Sequence, residues 1–164
     1  MSTDLPVPMK FQLPDGWHAA SPDELGLPDV AFVALNAATH GSGFTANITI
    51  DGEVRTDGAS LAEIADESVA NLRDAAPTVT VAQRTDLGGA EAPGLAQDLR
   101  VTLGEGEVRD LVQSQVYLTV PDAEDSGKRA VVRASLTVAE NQLDVVLEDF
   151  REFVSSIRLD TERL

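Results

Sequence analysis

The sequence predicts an α+β fold in which an antiparallel sheet of about six to seven strands packs against two helices. Two observations carry that prediction. Between Thr78 and Val138 the chain passes through four long stretches of alternating polar and apolar residues, the period of a strand with one buried face. Two other stretches, one opening at Ser60 and one at Gln142, repeat their apolar residues every three or four positions, the period of a helix with one buried stripe. A chain of 164 residues can bury a core without metal or disulfide, and this one has no cysteine.

In chain order, residues 1–9, with prolines at 6 and 8, read as a lead-in, and residues 10–164 as one domain. Phe11–Leu13 reads as a short strand closed by the turn chemistry of Pro14-Asp15-Gly16, with Trp17 as an anchor behind it. The apolar run Val30–Asn36 lies between Pro28-Asp29 and the Gly41/Gly43 pair, and its length fits a strand buried on both faces. Phe44–Ile50 alternates, with Phe44, Ala46, Ile48 and Ile50 on one side and Thr45, Asn47 and Thr49 on the other. Ser60 and Glu63 form a capping box. Leu61, Ile64, Ala65, Val69 and Leu72 follow as one stripe, and Pro77 stops the helix.

Four strands are expected at about 78–87, 94–103, 108–120 and 129–138, with a tight hairpin from Leu103 to Val108. One face is expected to carry Val79, Val81, Leu87, Leu95, Leu99, Val101, Leu103, Val112, Val116, Leu118, Val132, Ala134 and Leu136. The other is expected to carry Arg84, Asp98, Arg100, Thr102, Arg109, Gln113, Gln115, Tyr117, Arg133, Ser135 and Thr137. The last helix, from Gln142 to Ile157, presents Leu143, Val146, Leu147, Phe150, Phe153, Val154 and Ile157. Both helices are expected to cover the single apolar sheet face.

Charge narrows the function classes. The chain holds 28 acidic against 12 basic residues, a net charge of -16 and an isoelectric point near 4.2. Nucleic acids and anionic membrane surfaces are bound mainly by lysine and arginine, so neither is an expected partner. No apolar run is long enough for a membrane span, and the first ten residues lack a basic region followed by an apolar one, so the expected location is the cytoplasm.

Catalytic and metal chemistry has little to draw on. His18 and His40 belong to no ligand spacing such as HExxH, and His18 reads as a boundary histidine beside Trp17. Thr39-His40-Gly41-Ser42-Gly43 lacks the strand-turn-helix context of a nucleophile elbow and reads as a hairpin turn. Gly104-Glu105-Gly106 puts an acid where a phosphate would need amides and a lysine. Asp122 to Gly127 lacks the ligand spacing of a calcium loop. Carboxylate pairs such as Glu148/Asp149 fall on an outer helix face. No catalytic residue, metal or cofactor is expected.

What stands out is a concentration of scarce positive charge. Arg84, Arg100, Arg109 and Arg133 all fall on the expected polar strand face, interleaved with Gln113, Gln115 and Tyr117. Arg100, Arg109, Gln113, Gln115, Tyr117 and Arg133 are therefore the candidate binding residues, a recognition surface for an acidic or extended partner. The competing account is a solvent-facing strand surface whose arginines pair across strands with Asp86, Asp98 and the neighbours of Asp110.

The order of elements also bears a resemblance. The opening Phe11, Pro14, Gly16 and Trp17, and the closing Phe150, Phe153, Ser156, Ile157 and Arg158, resemble the PsbP-like and Mog-type fold, and within it the actinobacterial LpqN/LpqT group. The resemblance covers most of the chain and implies a non-enzymatic binding or chaperone-like, secretion-associated module. It carries over no catalytic residue. Members of that group are often lipoproteins, and this sequence has no lipobox cysteine. The expected function is thus protein or peptide binding on the sheet face or at a sheet edge, a homodimer being compatible with it. The alternative is a small-molecule binder or enzyme with a pocket near the His18 and His40 loops.

Overall fold

The computed structural model describes residues 9–25, 30–39, 45–76, 78–88, 93–103, 109–121 and 127–159. Seven of its strands form one antiparallel sheet: β2 (Trp17–Ala20), β3 (Phe32–Asn36), β4 (Asn47–Arg55), β5 (Thr78–Gly88), β6 (Pro93–Leu103), β7 (Arg109–Pro121) and β8 (Arg129–Ala139). Their order across the sheet is β2-β3-β4-β8-β7-β6-β5, so the β5–β8 meander pairs in sequence and β4 joins it at β8. Two short strands, β1 (Met9–Lys10) and β9 (Arg158–Leu159), pair with each other. The helices are α1 (Leu61–Ala75) and α2 (Leu143–Ser156).

The local chemistry accounts for most boundaries. At the start of α1 the Ser60 hydroxyl accepts the Glu63 backbone N–H at 3.1 Å, satisfying one of the donors that a helix start leaves free. Gly16 closes the turn before β2 with φ +88°, a conformation costly for any residue with a Cβ, and the Trp17 N–H donates to the Pro14 carbonyl. The strand therefore begins at Trp17, after the turn, whereas Phe11–Leu13 is irregular. Phe11 still enters the core by its ring, 4.8 Å from Phe32 and 5.2 Å from Phe153 in edge-on contacts.

The register corrects two expectations. Both sheet faces are buried, each over half its width. On one face Ala34, Ile48, Ile50, Val132, Ala134, Leu136 and Val138 pack under Val146, Phe150 and Phe153 of α2. On the other, Val79, Leu99, Val101 and Leu111 meet Val69 of α1, while Leu95, Tyr117 and Val131 meet Leu61, Ile64 and Ala65. Since α1 packs with residues of β5 to β8 and α2 with residues of β2 to β4, β7 and β8, the helices lie on opposite faces, offset toward opposite ends. Leu95 stands opposite Tyr117, and Leu99 opposite Gln113, so these leucines share a face with the glutamines and Tyr117 and not with Val112, Val116 and Leu118. Alternation sorts residues within a strand. It leaves the phase between neighbouring strands open when both faces are buried.

Candidate functional site

The polar strand residues expected at the surface form a hydrogen-bonded layer beneath and beside α1. Gln97 and Gln115 are each 1% exposed and Tyr117 is 2% exposed. Cross-strand register lines them up: Arg84 opposite Gln97, Gln97 opposite Gln115, Tyr117 opposite Arg133, and Arg133 opposite Asp51. Arg84 donates to Gln97 Oε1 at 2.7 Å through Nη2, and to Asp66 of α1 at 2.9 Å. The Gln97 amide donates to Gln115 Oε1 at 2.7 Å, and the Gln115 amide to Gln113 Oε1 at 2.6 Å. The Gln113 amide then donates to the Thr137 hydroxyl at 3.0 Å. The Tyr117 hydroxyl also donates to Gln115 Oε1, at 2.9 Å. Each buried amide thus receives at its oxygen and gives at its nitrogen, which satisfies the groups and polarises the chain of bonds.

Ser68 joins this layer to an ion pair. It sits in the buried stripe of α1, and its hydroxyl accepts from Arg133 Nη1 at 2.8 Å and from the Gln115 amide at 3.2 Å. The other two guanidinium nitrogens of Arg133 donate to the two oxygens of Asp51, with Nε 3.0 Å from Oδ1. Burial works against the charge on Arg133, and Asp51, with Tyr117 adding, more than offsets it and raises the pKa above the ordinary arginine value.

Past the edge of α1, the same sheet face is uncovered. Two adjoining clefts of about 270 and 430 Å³ run there, sharing Ser68, Asn71 and Arg133. The floor of the larger is Asn47 and Thr49 of β4 with Ser135 and Thr137 of β8, and its walls are α1 and Val30. The smaller opens between Asp51, Glu53 and Glu67. Ser135 is buried in the floor, Thr49 is half-buried and Asn71 is exposed at the rim, while the buried side-chain atoms without a partner among the described residues lie elsewhere, at Thr119 and Arg129. At the acidic end Arg55 donates to Glu53 at 2.8 Å, Asp57 at 2.7 Å and Glu67 at 2.9 Å. Those bonds, led by the one to Glu67, raise the Arg55 pKa, and they hold the Asp57 and Glu67 carboxyls below their ordinary range.

The six candidate binding residues therefore separate. Arg133, Gln113, Gln115 and Tyr117 are together on the α1 side, with Gln115 and Tyr117 enclosed. Arg100 lies on the opposite face, exposed and paired with Glu140 at 2.7 Å. Arg109 opens β7 opposite Leu103, and its side chain lies outside the described residues. Arg84 shares the buried layer. Of the three arginines whose side chains are described, none takes the expected partner: Arg84 takes Asp66, Arg100 takes Glu140 and Arg133 takes Asp51, while Asp98 accepts from Ser114 and Asp110 from Thr102. Asp51, Ser68, Asn71 and Ser135 were missed as site residues. Ser68 had a signal, being a polar residue three positions after Ala65 inside an apolar helical stripe.

The expected loops at His40–Gly43, Gly104–Gly106 and Asp122–Glu124 lie outside the described residues. His18 is exposed on the edge strand β2 and borders an apolar hollow of about 320 Å³ with Ala19, Ala20, Leu35 and Ala37. Among the described residues no three acidic or histidine side chains are placed to hold a metal ion, and no helix is long and apolar enough to cross a membrane.

The seven-stranded antiparallel sheet with its two helices is the α+β architecture of the PsbP/Mog-type fold. Solved structures of that fold superpose on most of the chain. LpqN of Mycobacterium tuberculosis, described as involved in cell envelope biogenesis, matches with a TM-score of 0.65 at 10% identity, over 92% of this chain and 82% of its own. Cyanobacterial PsbP from Synechocystis matches with 0.62 at 17% identity, over 92% and 86%. The Ran-binding protein Mog1p of Saccharomyces cerevisiae matches with 0.59 at 12% identity, over 92% and 89%. No family model and no curated protein matches the sequence.

Proposed function

We propose that the chain is a non-enzymatic binding protein whose partner, a protein or peptide, docks in the groove between α1 and the β4–β8 part of the sheet. The observation that carries this reading is the polar lining of the groove: Asn47 and Thr49 of β4 and Ser135 and Thr137 of β8 form its floor, with Asn71 of α1 on the rim. Hydroxyls and amides side by side along one cleft can hydrogen-bond to an occupant, at about 0.5–1.5 kcal/mol net for each bond. An extended polypeptide presents N–H and C=O groups along its length and fits such a floor. The structural neighbours include a protein described as Ran-binding, which is in keeping with a protein partner. The Ser68 hydroxyl accepts from a guanidinium and has no general base beside it, so it is not arranged as a nucleophile.

Photo-crosslinking from position 71 in the groove and from position 100 on the opposite face tests the reading. A partner trapped from position 71 alone, and no longer bound after Asn71→Trp, is the expected result. Equal trapping from both positions, or full binding by the Asn71→Trp chain, rules the groove out.

The hollow beside His18 supports a second reading, a small apolar ligand at the β2 edge. A ligand at a hundred times its Kd adds about 2.7 kcal/mol, so a fatty-acid and isoprenoid screen would raise the Tm, and Leu35→Trp would abolish the rise. No shift with either class sets that reading aside.

A further inference from the structure

The acidic end of the groove has its charges arranged in depth. Arg55 is 13% exposed by side chain, whereas Glu53 and Glu67, to which it donates, are each 53% exposed. The cation is tucked beneath carboxylates that still face water. Arg133 is likewise committed, two of its nitrogens to Asp51 and the third to Ser68. Four carboxylates, Asp51, Glu53, Asp57 and Glu67, stand there against the two guanidiniums of Arg55 and Arg133, so an arriving group meets a net negative wall. The chain as a whole, at -16, adds to that field.

Resting on the groove reading above, we propose that the occupant is an extended segment of another protein carrying a lysine or arginine, its cation seated between Asp51, Glu53 and Glu67 and its backbone laid against Ser135, Thr49 and Asn71. Charge complementarity selects this occupant. An acidic segment would meet the half-exposed carboxylates, and a second copy of this chain would bring another sixteen negative charges. The wall is also preorganised, because Arg55 holds Glu53, Asp57 and Glu67 in place before any partner arrives.

The test is selection of a random decapeptide display library on three full-length chains: wild type, the Glu53→Gln/Glu67→Gln double variant, and Asn71→Trp. All these substitutions fall at exposed positions, away from the core. Wild type should enrich peptides with lysine or arginine, and a recovered peptide should lose about tenfold in affinity when its arginine is replaced by the uncharged isostere citrulline. The double variant should still bind peptides but without the basic preference, and Asn71→Trp should bind none. Basic enrichment that persists in the double variant would reflect overall charge and overturn the inference while leaving the groove reading intact. Peptides selected without excess lysine or arginine, yet lost with Asn71→Trp, would overturn it in the same way. Selection that survives Asn71→Trp, or no selection by any chain, overturns both.

Discussion

Gln115 is the residue on which the buried layer turns. Its oxygen accepts from Gln97 and Tyr117, and its amide donates to Gln113 and Ser68. Replacing it with leucine keeps the volume, removes the acceptor of the Tyr117 hydroxyl and leaves the Gln97 amide only its long 3.5 Å bond to the Ala65 carbonyl, so the cost should be about 3 kcal/mol, read by urea unfolding. Tyr117→Phe removes a single donor and should cost about 1 kcal/mol. If the two variants unfold at the same urea concentration, the layer is not cooperative. The Arg133–Asp51 pair is only partly buried, and Asp51→Asn keeps the shape while removing the charge. The expected loss is about 2 kcal/mol, between the small worth of a surface pair and the larger cost of an orphaned buried charge. Arg133 then keeps Ser68 and the oxygen of the new amide as acceptors, and a loss below about 0.5 kcal/mol would show that solvent already screens the pair.

At the scale of elements, α1 depends on its start. Ser60→Ala removes the acceptor of the Glu63 N–H and should cost about 1 kcal/mol, with the slope of the denaturant curve unchanged. An unaltered midpoint would mean that water replaces the cap without loss. This helix start was legible because a capping box is a local signal, as were the four meander strands, each found within a residue of its expected ends. What could not be read was non-local. Leu99 alternates within β6 equally well whichever face it points to, and only the pairing of Leu99 with Gln113 settles that it lies under α1. The expectation of one apolar face assigned both helices to it. A sheet buried on opposite faces at opposite ends obeys the same alternation. For the same reason four of the six candidate site residues did come together, Gln113, Gln115, Tyr117 and Arg133 lying on β7 and β8, whereas Arg100, one strand further on, fell on the other side. Asp51 and Ser135 escaped notice as site residues because what makes them a site is the open space past α1, which no sequence period encodes.

For the whole molecule, the excess of negative charge sets how stability and binding respond to solvent. Near neutral pH the -16 charge opposes compaction, so raising salt from 0.01 to 0.1 M, which shortens the screening length from about 30 to about 10 Å, should raise the Tm. The same salt should weaken any basic partner, so the two responses have opposite sign. The Arg55 cluster adds a separate pH term. Glu67 and Asp57 have folded pKa values below their ordinary 4.5 and 3.8, so the unfolded chain binds more protons than the folded one in that range. Their contribution is whole above about pH 5.5 and is lost as the pH falls through 4.5 towards the lowered folded values. Protonation elsewhere relieves the general repulsion and moves total stability the other way, so the quantity to follow is the difference between wild type and Arg55→Met. That difference should be constant from pH 8 to about 5.5 and should shrink steadily below pH 4.5, measured by urea unfolding at each pH. A difference that holds steady down to pH 3 would show that Arg55 acts by packing its stem and not by organising the carboxylates around it.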